Sequence, residues 1–130
     1  MANKAVYDII YGLLSTDTTV NNGVKNNIFP NMAPQGTKGS YIVYHIANSR
    51  RDNAIGGSAV YYKIGIGVYS RGYKVSNTLI EAVKNRLDRW SGPVNSVYVT
   101  SIHYQEEGDE LVDGPELHHR QAMFVVCMMQ

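Results

Sequence analysis

The chain has 130 residues, a formal net charge of +1, ten tyrosines against two phenylalanines, and one cysteine. That length fits a single domain spanning 1–130 with one two-layer core. Near-neutral charge removes any bulk attraction to nucleic acid or an anionic membrane, and a lone cysteine excludes a disulfide framework or a cysteine-rich zinc site within one chain. In chain order, Val6, Ile9, Ile10, Leu13 and Leu14 form one apolar stripe at helical spacing, with Asn3 as the expected N-cap and Asp8 near the positive end. Gly12 within that helix implies close packing or early fraying, because it costs about 1 kcal/mol relative to alanine. Ser15 to Asn22 is polar and rich in capping residues, and is expected to hold a short second turn that Asn22-Gly23 breaks.

Asn31 to Ser40, with Pro34, Gly36 and Gly39, reads as a loop. Tyr41 to Asn48 alternates with both sides fairly apolar, as in an interior strand. Ser49 to Ser58, with Arg50-Arg51 and Gly56-Gly57, reads as a long polar hairpin connection. The second strand, Ala59 to Ser70, has a clear period of two. Val60, Tyr62, Ile64, Ile66 and Val68 point one way, opposed by Tyr61, Lys63, Gly65, Gly67 and Tyr69. The two glycines leave a bare patch, which a crossing helix or a neighbouring subunit is expected to fill.

Val75 to Trp90 is the main predicted helix, with a stripe of Leu79, Val83, Leu87 and Trp90 that shares a sheet face with Ile9 and Leu13. Thr78 and Glu81 have capping-box spacing with Ser76 as a rival cap, Lys84 and Asp88 are set to pair, and Gly92-Pro93 stops the helix. Val97 to Gln105 and Leu117 to Met129 are two further strands, joined by an acidic loop from Glu106 to Glu116. The expected fold is α+β: two helices on one face of a mainly antiparallel four-stranded sheet, in the order αββαββ. The other face keeps apolar and tyrosine residues that a monomer leaves partly open, which implies association.

Catalytic signatures are sparse. The acidic loop holds six of the eleven acids, but Asp109 and Asp113 lack the spacing of a calcium loop, so no metal is assigned. His118 and His119 are adjacent in a strand and point apart. In a simple hairpin His103 lies opposite His118, and that pair with a loop acid defines the alternative reading, a small metal-binding or enzymatic domain. No nucleophile motif, phosphate-cradling loop or dinucleotide fingerprint is present, so no cofactor is expected. Lys63, Arg71 and Lys74 with Tyr61, Tyr69 and Tyr73 come closest to a nucleic-acid surface, but read as a snorkelling strand edge. Cys127 lies in an apolar run and is expected as a buried, inert thiol in a reducing compartment. No apolar run approaches the about 20 residues that cross a bilayer, and Met1-Ala2-Asn3-Lys4 opens no signal peptide.

The order of a helix, a brief second turn, Ile28-Phe29-Pro30, a loop with Pro34-Gln35-Gly36, and a strand opening Tyr41-Ile42-Val43-Tyr44 resembles the tail-terminator proteins of long-tailed bacteriophages, also called tail-completion or head–tail joining proteins. The likeness continues through Tyr62 to Tyr69, Ser76 to Leu87 and His119 to Val126. It implies a non-enzymatic virion protein, assembled in the host cytoplasm, of which six copies form a ring at the head–tail interface. The ring caps the tail tube, stops its polymerisation and joins it to the head's neck protein. The DNA passes through without sequence-specific binding, and no membrane is involved. A neck component on the portal side is the neighbouring reading. The family carries no active residue to transfer. The interface candidates therefore rest on the residues themselves: Arg50, Arg51, Tyr61, Lys63 and Tyr69, and, with opposite charge, Glu106, Glu107, Asp109, Glu110 and Asp113.

Overall fold

The computed structural model describes residues 2–25, 27–32, 34, 39–54, 57–70, 72–94, 97–110 and 118–129. Three helices and six strands follow one another: α1 (Ala2–Ser15), α2 (Thr18–Val24), β1 (Ile28–Pro30), β2 (Tyr41–Ala54), β3 (Gly57–Ser70), α3 (Tyr73–Leu87), β4 (Gly92–Val94), β5 (Val97–Glu110) and β6 (His118–Met129). The strands form one mixed sheet in the order β1-β2-β3-β6-β5-β4, parallel at β1–β2 and antiparallel elsewhere. The fold is thus α+β as expected, but the αββαββ order with four strands and two helices is too simple. It omits α2 and the two three-residue edge strands, which are too short to show a period.

Local chemistry explains the helix ends, and several differ from the sequence reading. Helix α1 starts at Ala2, so Asn3 lies inside it and is not its cap. Gly12 has open space where a side chain would stand, and its carbonyl accepts the Thr16 hydroxyl at 2.7 Å, so it belongs to the helix's last turn. Helix α2 is capped by Asp17, whose carboxylate accepts the Val20 N–H at 3.0 Å. Asn22-Gly23 does not break α2. Gly23 is where Leu79 of α3 presses in, and an added Cβ would meet Leu79 Cδ2 at 2.3 Å. The helix ends at Lys25, in the left-handed region with φ 52°.

Helix α3 begins after Gly72 with no side-chain cap. Ser76 is instead buried against Ser70, and the Thr78 hydroxyl donates to the Lys74 carbonyl, so neither caps the helix. The helix stops at Leu87, and Trp90 lies beyond it. Asp88 does not pair with Lys84; its carboxylate accepts the Tyr104 N–H at 2.9 Å and ties the helix end to β5. Arg89 turns the chain with φ 63° and donates its N–H to the Ile102 carbonyl at 2.7 Å.

The core lies between the helices and one face of the sheet. Val6, Ile9, Ile10, Leu13 and Leu14 of α1 meet Leu79, Val83 and Leu87 of α3, all buried, with Trp90 packed at the margin. From the sheet come Ile42 and Tyr44, Tyr62, Ile64, Ile66 and Val68, and Ala122, Phe124 and Val126. The shared face expected for the two helical stripes is therefore present. Burial beside Tyr11, Asp8 and Tyr7 pushes the Tyr44 phenol up to about 12, so it stays neutral within the core. No helix among the described residues is long and apolar enough to cross a membrane.

Candidate functional site

The strand period of two dictates what the other face of the sheet carries. In β3 the alternate set is Tyr61, Lys63, Gly65, Gly67 and Tyr69, and β6 contributes His119, Gln121, Met123, Val125 and Cys127 in register with it. Apart from the buried glycines and His119, these side chains are half-buried, with no helix over them among the described elements. Cys127 is among them, so it is half-buried rather than sealed in the core.

Within the chain, the bare patch at Gly65 and Gly67 is filled by side chains of the sheet itself and not by a crossing helix. The His45 imidazole lies over Gly65, where a Cβ would meet Cε1 at 2.4 Å. The His119 ring lies over Gly67, where a Cβ would meet Nε2 at 2.7 Å. His119 then stacks on Tyr69 at 4.1 Å between ring centroids, and Tyr69 on Tyr41 at 4.8 Å. The glycines thus make room for the two imidazoles, and His119, Tyr69 and Tyr41 stack face to face across three strands as one aromatic platform. Sequence reasoning saw the glycines but missed the rings, because the register that brings Tyr41, Tyr69 and His119 together joins three separate strands.

Further along the same face, the Arg50 guanidinium sits 4.9 Å from the Tyr61 ring centroid, and Lys63 Nζ lies 3.9 Å from a Glu106 carboxylate oxygen. Asn48, Arg50, Tyr61, Lys63, Gln105 and Val125 line a shallow hollow of about 190 Å³. Arg50, Tyr61, Lys63 and Glu106 are therefore brought together, while Tyr69 belongs to the separate platform.

Other candidates are placed differently from the sequence reading. Arg50 and Arg51 do not lie on a loop. Both are in β2, opposite Tyr61 and Val60, so they face opposite sides of the sheet. The first part of the acidic segment is likewise strand: Glu106, Glu107, Asp109 and Glu110 are in β5. Glu107 turns to the helix side, 3.3 Å from Lys84 Nζ and 3.8 Å from Arg120 Nη2. Burial works against the charge on Lys84, but the hydrogen bonds its ammonium donates to the Glu81 and Glu107 carboxylates outweigh it and hold it above its ordinary pKa. Arg120 also donates to Asn77 of α3. This cluster, which fastens α3 to β5 and β6, was not anticipated from sequence, since its members come from three distant segments. Asp109 and Glu110 sit opposite Arg120 and His119 in register. Asp113 and Glu116 lie outside the described residues, as does Arg71.

The metal reading loses its geometry. His103 pairs with Val125 and His118 with Ser70, so the two histidines are not cross-strand partners. Among the described residues no group of three metal-ligating side chains comes together. What the fold presents is a helix-backed sheet with an aromatic and charged open face.

Comparison with known proteins agrees. Residues 8–124 match the family described as Tail completion protein gp17, and the chain belongs to that family. It is accordingly a structural, non-enzymatic component of a phage-type tail. A solved chain described as "Virion of native gene transfer agent (GTA) particle" has the same fold at a TM-score of 0.82 and 13% identity, with 93% of this chain and 92% of that one covered. A second solved chain superposes at a TM-score of 0.57 with 12% identity, covering 95% of each. No curated protein matches the sequence.

Proposed function

We propose that six copies form a ring on the end of the tail tube, stop its polymerisation and offer a docking face to the neck protein, with DNA passing through the centre. Family membership supports a role in tail completion. The single observation that carries the ring is the open sheet face: His119, Tyr69 and Tyr41 are stacked on it, and half-buried Met123 and Val125 continue it. Large amphipathic rings stacked on one another along an open sheet face suit a surface that is wet in the free chain and covered in a particle. A repeated head-to-tail contact closes into a ring when its rotation does.

Negative-stain imaging of the purified protein, alone and with tail tubes, tests this. Six-fold rings seated on tube ends are the expected result. Binding to the portal side with bare tube ends would move the protein to the neck, and monomers under both conditions would remove the ring.

A further inference from the structure

Two stretches of this sheet have no strand partner on one edge among the described strands. Strand β1 covers β2 only from Ile42 to Tyr44. Beyond it the Asn31 N–H donates to the Tyr44 carbonyl at 2.8 Å, and the Ile46 N–H reaches the Tyr7 hydroxyl at 3.5 Å. A bulge follows at Ala47, and from there to Ala54 no described strand pairs with the outer edge of β2. On the opposite side of the sheet, β4 covers β5 only from Val97 to Val99. The turn after α3 then covers it as far as Tyr104, through Ile102 with Arg89 and Trp90, and through Tyr104 with Asp88. A bulge follows at Gln105, and from there to Glu110 no described strand pairs with that outer edge. Among the described strands, each edge is thus paired up to a bulge and has no strand partner beyond it.

These two segments carry opposite charge. The segment of β2 has Arg50 and Arg51 against one acid, Asp52, whereas residues 106–110 of β5 have four acids and no base. Charges on an edge strand ordinarily keep sheets from joining edge to edge. Here they discriminate. Two copies of the acidic edge repel each other, two arginine-bearing edges gain nothing from meeting, and the arginine edge meets the acidic edge favourably. That excludes a two-fold edge pair and selects a head-to-tail contact, the kind that closes into rings.

We propose that residues 47–54 of β2 in one copy pair with residues 105–110 of β5 in the next, joining the sheets of neighbouring subunits around the ring. The two segments lie at opposite ends of the sheet, since β3 and β6 place Arg51 near Met128 and Glu110 near His119. Joining them staggers each subunit against the next in one sense, as strands stagger in a closed barrel. This rests on the ring reading above and names the contact that builds it.

Cysteine cross-linking of the full chain tests it, in a Cys127→Ser background. Gly108→Cys is combined with Asn48→Cys in one variant and with Ser49→Cys in another, so that one of two adjacent positions faces the partner in either register. Gly108 has room for a side chain, and Asn48 and Ser49 are exposed. Oxidation should give a ladder of species above the dimer in one double variant and no ladder from any single variant. Arg50→Glu with Arg51→Glu should abolish the ladder, and adding Glu106→Arg with Glu110→Arg should restore it. Dimers from Gly108→Cys alone, or a ladder indifferent to charge reversal, would overturn the selective pairing. Six-fold rings in micrographs without any ladder would overturn the edge contact and leave the ring standing. Monomer by light scattering at high concentration, with neither rings nor ladder, would remove the ring itself.

Discussion

The two faces of β3 are built from alternate residues of one strand and have opposite chemistry. Toward the helices, Tyr62, Ile64, Ile66 and Val68 are at most 3% exposed and belong to one core cluster with the apolar residues of α1 and α3. Away from the helices, Tyr61, Lys63 and Tyr69 stay half-exposed, and two glycines make room for imidazoles. The first face forms the hydrophobic core of the chain. The second is more aromatic and cationic than a solvated sheet face requires, which is what an assembling protein needs. A clean test of the division is to damage each face separately and ask which property fails.

The largest loss should come from the helix-backed face. Leu87 has no exposed surface and closes the α3 stripe over the sheet. Leu87→Ala removes most of a buried side chain and leaves a cavity, so it should cost about 2–5 kcal/mol in denaturant unfolding. A loss under about 1 kcal/mol would mean that α3 is peripheral. Next comes the buried hydroxyl pair that fixes the start of α3. Ser70 donates to the Gly72 carbonyl at 2.9 Å and pairs with Ser76. Both are fully buried. Ser70→Ala takes the partner from the buried Ser76 hydroxyl, while the Gly72 carbonyl keeps the Ser76 N–H at 3.0 Å, and should cost about 1–3 kcal/mol. The Ser70→Ala, Ser76→Ala double variant should then cost less than the sum of the two single losses, and strict additivity would refute the pairing.

The sequence made the strongly periodic parts legible. The α1 and α3 stripes and the alternation of β3 were readable because each repeats over several turns or pairs. It concealed elements whose formation depends on contacts from elsewhere. Strands β1 and β4 have three residues each and include Pro30 and Pro93, so no local period marks them. The far halves of β2 and β5 looked like loops because edge strands carry charge where interior strands carry aliphatics. Arg50 and Arg51 are paired with Tyr61 and Val60 all the same. Of the candidate site, the residue types were readable, but the register was not. Nothing local showed that Arg51 and Glu107 turn to the helix side while Arg50 and Glu106 face outward.

Helix α2 shows the same dependence at smaller cost. Asn22-Gly23 reads as a break, yet the helix runs through it because Gly23 lets Leu79 approach and Asp17 caps the first turn. Asp17→Ala should cost about 0.5–2 kcal/mol, and Asp17→Asn, which keeps an acceptor, much less. Equal losses from the two variants in thermal or denaturant unfolding would mean that the carboxylate acts through its charge rather than as a cap.

The smallest effect on folding, and the largest on assembly, should come from the open side. Arg50 and Arg51 are exposed, and Arg50 lies over the Tyr61 ring. An exposed cation on an aromatic face is worth about 0.5–1 kcal/mol, and exposed ion pairs contribute ~0–1 kcal/mol. Reversing both residues to glutamate should therefore move the melting temperature by only a few degrees, by the usual relation between stability and melting point for chains of this size. The same change puts acids on both of the edge segments proposed to meet, and like charges across a contact oppose its formation. Tail completion should fail while the purified protein keeps its circular dichroism spectrum. If the reversed protein unfolds, these arginines belong to the fold. If it completes tails at the normal rate, the charged edges are not what the particle recognises.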